Sequence, residues 1–129
     1  MTVDQWILEY LRSKPEVIQA VGDKVFLYQV PAGTEIPYLH IQLISGVREP
    51  KTQSLRYAGA ARFQIDLYCS DRYQGRTDME AVMRCLKVSN VLTNGLRIEQ
   101  TKKSGPRMLS AEEGYRFSCD VAITWVEEE

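Results

Sequence analysis

Histidine is almost missing from this chain: His40 is the only one in 129 residues. Imidazole chemistry needs an oriented partner, and nothing in the local sequence supplies one for a single histidine. Cysteine is scarce as well. Cys69, Cys85 and Cys119 are odd in number and far apart, which fits neither a secreted disulfide framework nor a paired zinc knuckle and points to a reducing, cytoplasmic setting. There is no apolar run of bilayer-spanning length, and Met1-Thr2-Val3-Asp4 lacks a basic leader region, so a soluble, unexported chain with no membrane partner is expected. Charge of one sign is missing too. Sixteen Lys and Arg against seventeen Asp and Glu leave a net charge of -1, which gives no overall drive toward nucleic acid or anionic lipid. The acidic residues Asp66, Asp71, Glu112 and Glu113 match no EF-hand loop, zincin helix or phosphate-binding glycine loop. No catalytic, cofactor-binding or metal-ligating residue is therefore assigned, and no enzymatic activity or cofactor is expected.

What the chain does have is clean periodicity. In Ala61-Arg62-Phe63-Gln64-Ile65-Asp66-Leu67-Tyr68, apolar Phe63, Ile65 and Leu67 alternate with polar Arg62, Gln64 and Asp66, the signature of a strand buried on one face. It leads through Ser70-Asp71 into a helix whose stripe is Met79, Val82, Met83 and Leu86, with Asp71 as its cap. Upstream, Thr2 and Gln5 have the form of a capping box, and Val3, Trp6, Ile7, Tyr10 and Leu11 line one side of an N-terminal helix. That helix stops near Lys14; Pro15 opens a second short one and Gly22 caps it.

Val25-Phe26-Leu27-Tyr28 reads as an edge strand. Leu39, Ile41 and Leu43 share one face of the next strand, with Tyr38, His40 and Gln42 on the other. Ser45 to Gly59 reads as a long polar loop carrying Arg48, Lys51 and Arg56. After the turn dipeptide Asn94-Gly95, Leu96 to Gln100 alternates again, and Lys102 to Gly114 reads as a second polar excursion carrying Lys102, Lys103 and Arg107. Tyr115, Phe117, Cys119, Val121, Ile123 and Trp125 then alternate over the longest strand. The expectation is one α+β domain over residues 1–129: a mostly antiparallel sheet of four to five strands with helices packed on one face, a two-layer sandwich. The cysteines read as small hydrophobes, with Cys69 nearest to a helix start.

The order of segments also carries a resemblance. Val21-Gly22-Asp23-Lys24-Val25-Phe26 follows the first helices; Pro31-Ala32-Gly33-Thr34-Glu35-Ile36-Pro37-Tyr38 comes next, then Ile44-Ser45-Gly46, Ala61 to Tyr68 with its helix, and Tyr115-Arg116-Phe117-Ser118-Cys119-Asp120-Val121. Over nearly the whole chain this order resembles the small tail-completion proteins of long-tailed bacteriophages and prophages, a family similar to the tail terminators. The resemblance implies a subunit that assembles with itself into a ring, commonly a hexamer, on the tail tube protein. There it would stop tube growth and offer a surface to the head connector or neck protein, with DNA passing through the channel. It implies assembly in the bacterial host cytoplasm and, for an active phage, residence in the virion tail.

The family brings no catalytic motif. From the residues themselves, the polar strand faces with Arg62, Gln64, Asp66, Arg116 and Asp120 are candidates for the subunit interface. The basic stretches with Arg48, Lys51, Arg56, Lys102, Lys103 and Arg107 are candidates for pore or partner contact, because loop cations meet phosphates without reading sequence. Reversing the charge of Asp66 or Arg116 is expected to weaken assembly and leave a folded monomer. Two alternatives are a head-closure or neck ring protein of the same stack and a small-molecule-binding α+β domain. The second would require a deep pocket with convergent polar groups near His40 and Tyr38.

Overall fold

In a computed structural model the structure describes residues 1–50 and 57–127. Among these residues three helices, α1 (Val3–Arg12), α2 (Pro15–Val21) and α3 (Arg72–Cys85), accompany six strands. These are β1 (Val25–Leu27), β2 (Tyr38–Pro50), β3 (Tyr57–Cys69), β4 (Ser89–Thr93), β5 (Leu96–Leu109) and β6 (Tyr115–Glu127). They form one sheet in the order β1-β2-β3-β6-β5-β4, in which β1 runs parallel to β2 and every other neighbour is antiparallel.

The helix ends follow local chemistry. Thr2 and Gln5 close the expected capping box on α1. Pro15 sits at the first position of α2, where its missing N–H costs nothing, and Gly22 caps the end at φ +67°. The Asp71 carboxylate accepts from the amides of Tyr73 and Gln74 and starts α3.

A single apolar cluster holds these elements together. It joins Trp6, Ile7 and Leu11 of α1, Val17 and Val21 of α2, and Met79, Val82 and Met83 of α3 to the alternating residues of the strands, among them Leu39, Phe63, Ile65, Cys119, Val121 and Ile98. Phe63 is fully buried, and burying a side chain of that size stabilises the fold by about 1.5–3 kcal/mol. At Gly75 of α3 an added Cβ would overlap the Cys69 sulfur and press on the Phe117 ring, so the missing side chain is what lets this helix settle onto β3 and β6.

The α+β class stands, but the expected sheet is corrected. It has six strands, not four to five; it is mixed, because β1 pairs in parallel; and it curls into a half-barrel in place of a flat two-layer sandwich with helices on one face. β4 was not foreseen. The two supposed loops are also corrected: Arg48 lies on β2, and Lys102, Lys103 and Arg107 lie on β5, so these cations sit on strands. Lys51 and Arg56 fall outside the described residues.

Candidate functional site

Because β2, β3, β6 and β5 are neighbours, the polar residues of four strands meet on one face in aligned rungs. Tyr38, Tyr68, Arg116 and Leu109 make one rung; His40, Asp66, Ser118 and Arg107 the next; Gln42, Gln64, Asp120 and Ser104 the third. Side chains cross between rungs. Arg116 Nη2 lies 2.9 Å from Asp66 Oδ2, and the Gln64 amide donates to both Asp66 oxygens at 3.1 and 3.2 Å. Asp120 Oδ2 accepts from Arg62 at 2.9 Å and from Arg107 at 3.4 Å. His40 Nε2 donates to the Tyr28 carbonyl at 2.6 Å while Nδ1 accepts from Gln42 at 3.2 Å.

The polar face is not simply wet: Asp66 and Ser118 have no exposed surface, and His40 and Asp120 are buried. Two arginines cover one carboxylate and a third covers the other. Arg116 Nε and Ser118 Oγ remain without a hydrogen-bond partner among the described residues. Beside them the Tyr38 and Tyr68 rings stack at 4.8 Å, with the Arg116 guanidinium 5.7 Å from the Tyr68 centroid. The rings and Arg116 line a cleft of about 420 Å³ together with Ile36, Glu112 and Glu113. Tyr38 lines this cleft and His40 does not, so the two residues named for the small-molecule alternative do not share its wall.

All five residues proposed for the interface, Arg62, Gln64, Asp66, Arg116 and Asp120, are thus brought together on this face. The basic set is dispersed. Arg48 makes a bidentate pair with Glu127 at 2.7 and 3.0 Å and stacks 3.6 Å above the Tyr57 ring. Lys103 Nζ donates to the Met83 carbonyl at 2.6 Å, Arg107 joins Asp120, and Lys102 is exposed on β5.

Sequence reading missed the exposed apolar residues at the sheet ends: Leu43, Ile44 and Val47 on β2, and Val91 and Leu92 on β4. The signal for β4 was available, since Val88 to Thr93 is a β-prone run ahead of the Asn94-Gly95 turn.

Electrostatics follow from these contacts. Burial pushes the Asp120 carboxyl upward, but hydrogen bonds from Arg62 and Arg107 outweigh it and hold the group below the usual carboxylate range. The hydrogen bonds from Arg48 lower Glu127 in the same direction. A carboxylate with a depressed folded pKa adds stability that is present above its unfolded value, near 3.9 for Asp, and is lost as pH falls through the folded value. Thermal melting between pH 7 and pH 2 is therefore expected to show wild type losing stability faster below about pH 4 than Asp120→Asn, which lacks the titration.

The thiols move the other way. Burial and the hydrogen bond to Glu16 push Cys85 up to about 11. Burial with Asp120 and Asp66 nearby pushes Cys119 up to about 12. Burial, then Asp78 and Asp71, raise Cys69. At pH 8 the half-buried Cys85 is expected to react with a disulfide reagent on the order of a hundredfold more slowly than a free thiol of pKa near 8.5, with the buried Cys119 slower still. The helix start next to Cys69 does not activate it.

Among the described residues no cluster of three His, Cys, Asp or Glu groups is placed to hold a metal ion. Among the same residues no helix is long and apolar enough to cross a membrane.

Fold and face together define a small α+β domain whose polar groups are engaged in tying four strands to one another. Residues 5–127 match the sequence model of the family described as tail completion protein gp17. The chain belongs to that family and is a structural, virion-associated protein of phage tails. Among solved structures, a chain from the virion of a native gene transfer agent (GTA) particle superposes with a TM-score of 0.63 at 17% identity, over 95% of this chain and 92% of that one. At that identity the likeness is one of fold. No curated protein sequence matches the chain.

Proposed function

We propose that this protein assembles into a ring on the end of the tail tube, ends tube polymerisation there, and presents the surface on which the head connector or neck protein docks. The family match over residues 5–127 carries this reading. The geometry supports it in one respect: the arginines of the polar face are partly exposed at their outer ends, Arg62 and Arg107 most of all, while their carboxylate partners are held beneath them. Such a surface presents oriented guanidinium groups to a neighbour at little further cost in side-chain ordering.

In an assembly the contacts on this face fall to Arg62 and Arg107. Asp120 holds both from beneath, while Gln64, Asp66 and Arg116 form the buried group beside them. DNA passing through the ring would meet exposed cations such as Lys102, without sequence readout.

The test is mass in solution by light scattering after size exclusion, with negative-stain images of any large species, repeated in the presence of purified tail tubes. A closed ring of about six copies, alone or on the tube end, is expected. A chain that stays monomeric and does not bind tubes would overturn the proposal.

A further inference from the structure

Charge nearly cancels over the whole chain, with a net of -1, but it does not cancel locally. Where α1 passes into α2, against the last turn of α3, lies an open cleft of about 360 Å³ whose lining includes Tyr10, Lys14, Glu16, Arg84, Cys85 and Lys87. Its neutral and acidic groups are engaged. The Tyr10 hydroxyl donates to the Cys85 carbonyl, and the Cys85 thiol donates to Glu16 Oε2 at 2.9 Å. The cations have no such partners. Lys14 Nζ stands 4.5 Å from the Tyr10 ring centroid, and neither Lys14, Arg84 nor Lys87 makes an ion pair among the described residues. The Cys85 hydrogen bond, with Lys14 and Arg84 close by, holds the Glu16 carboxyl below the usual carboxylate range, so these two cations converge on it from different elements. Three positive groups against one carboxylate leave two charges unmatched. Arg84 suits the negative end of α3, but nothing similar accounts for Lys14 or Lys87.

The opposite condition holds at the turn between β5 and β6. Leu109 and Arg116 form the last pair of these strands, and Glu112 and Glu113 stand exposed beyond it. Neither carboxylate has a hydrogen-bond or ion-pair partner among the described residues. The turn is pinned at its base: Gly114, at φ +69°, closes against the Cys69 carbonyl, which an added Cβ would overlap. A segment fixed in this way loses little freedom when it docks.

The two patches match in charge, and they face away from each other. The helices that build the basic cleft bury their stripes against the side of the strands that carries Phe63, Ile65 and Cys119. Glu112 and Glu113 line the cleft with Tyr38, Tyr68 and Arg116 on the other side. Complementary patches on opposite sides of one subunit meet only between copies, and such a head-to-tail contact is the kind from which rings close. A phosphodiester backbone in the basic cleft would leave Glu112 and Glu113 unmatched.

We infer that the occupant of the basic cleft is the Glu112–Glu113 turn of a second copy of this chain, each subunit presenting its acidic turn to Lys14, Arg84 and Lys87 of the next. The inference rests on the ring reading and specifies what joins the copies.

A charge swap tests it. Glu112→Lys with Glu113→Lys, and separately Arg84→Glu with Lys87→Glu, reverse one side of the contact at exposed positions. Each pair is expected to leave the circular dichroism of the subunit unchanged and to raise the concentration for half-assembly on the order of tenfold or more, since like charges then face each other. All four substitutions in one chain restore opposite signs and are expected to return that concentration to within about threefold of wild type.

Rings that form at wild-type concentrations in both reversed pairs, or a four-residue variant no better than the pairs, would leave the ring reading standing and overturn this contact. Loss of affinity for a short DNA duplex in the Arg84→Glu, Lys87→Glu variant, with assembly unchanged in the Glu112→Lys, Glu113→Lys variant, would make the cleft a phosphate site and overturn it as well. Wild type that never assembles, with or without tail tubes, would overturn both the contact and the ring.

Discussion

Arg116→Ala is expected to cost about 3–5 kcal/mol of folding stability, the range for removing one partner of a buried ion pair. Asp66 has no exposed surface, and its carboxylate has two side-chain donors, Arg116 and Gln64. Without the guanidinium the charge stays in the sheet with one neutral amide, and its desolvation is no longer offset. Urea unfolding at neutral pH reads the loss as a lower midpoint at an unchanged slope. The pair as such is worth much less than this figure. Asp66→Leu combined with Arg116→Leu removes both charges together and is expected to recover most of the loss, so the cycle shows strong coupling. A drop below about 1 kcal/mol for Arg116→Ala would mean that water reaches Asp66.

The same geometry changes what charge reversal at Asp66 would report. A cation at a fully buried position unfolds the subunit, and loss of folding then imitates loss of assembly. Arg62, more than half exposed at its side chain, is the position where reversal separates the two.

Much of this domain was written in local patterns. The Thr2–Gln5 box, Pro15, Gly22, Asp71 and the Asn94-Gly95 turn act over three or four residues, and they placed the element ends where the structure has them. Period-two alternation placed Arg62, Gln64 and Asp66 together opposite Phe63 and Ile65.

Alternation requires one dry face, and this explains the misread stretch after Leu43. From Leu43 to Glu49 every residue of β2 is exposed, so apolar and polar positions carry no period and the strand reads as a loop. The parallel pairing of β1 was not legible because Val25 to Leu27 meet Leu39 to Ile41 only through the intervening turn. The polar network was half legible. Sequence says which residues share a face, but the pairs Arg116–Asp66 and Arg62–Asp120 depend on β6 lying between β3 and β5. Burial of the polar face follows from that order and from the reach of arginine side chains laid over the carboxylates. A reader of the strands one at a time expects those carboxylates to be solvated.

Gly59→Ala is the second large effect, and it concerns the distal part of the sheet. Gly59 lies between Arg48 on β2 and Trp125 on β6, and the Trp125 ring lies across the position its side chain would take. An added methyl would overlap that ring and the Val47 carbonyl. One of these groups is backbone and the other is a large side chain only 5% exposed, so neither yields easily. Overpacking of this kind costs about 1–3 kcal/mol. Thermal or urea unfolding measures the loss, and the indole N–H resonance of Trp125 is expected to shift while that of Trp6, on α1 and stacked against Tyr10, stays in place. Ala60→Val, at the exposed neighbouring position, is expected to stay within about 0.5 kcal/mol of wild type.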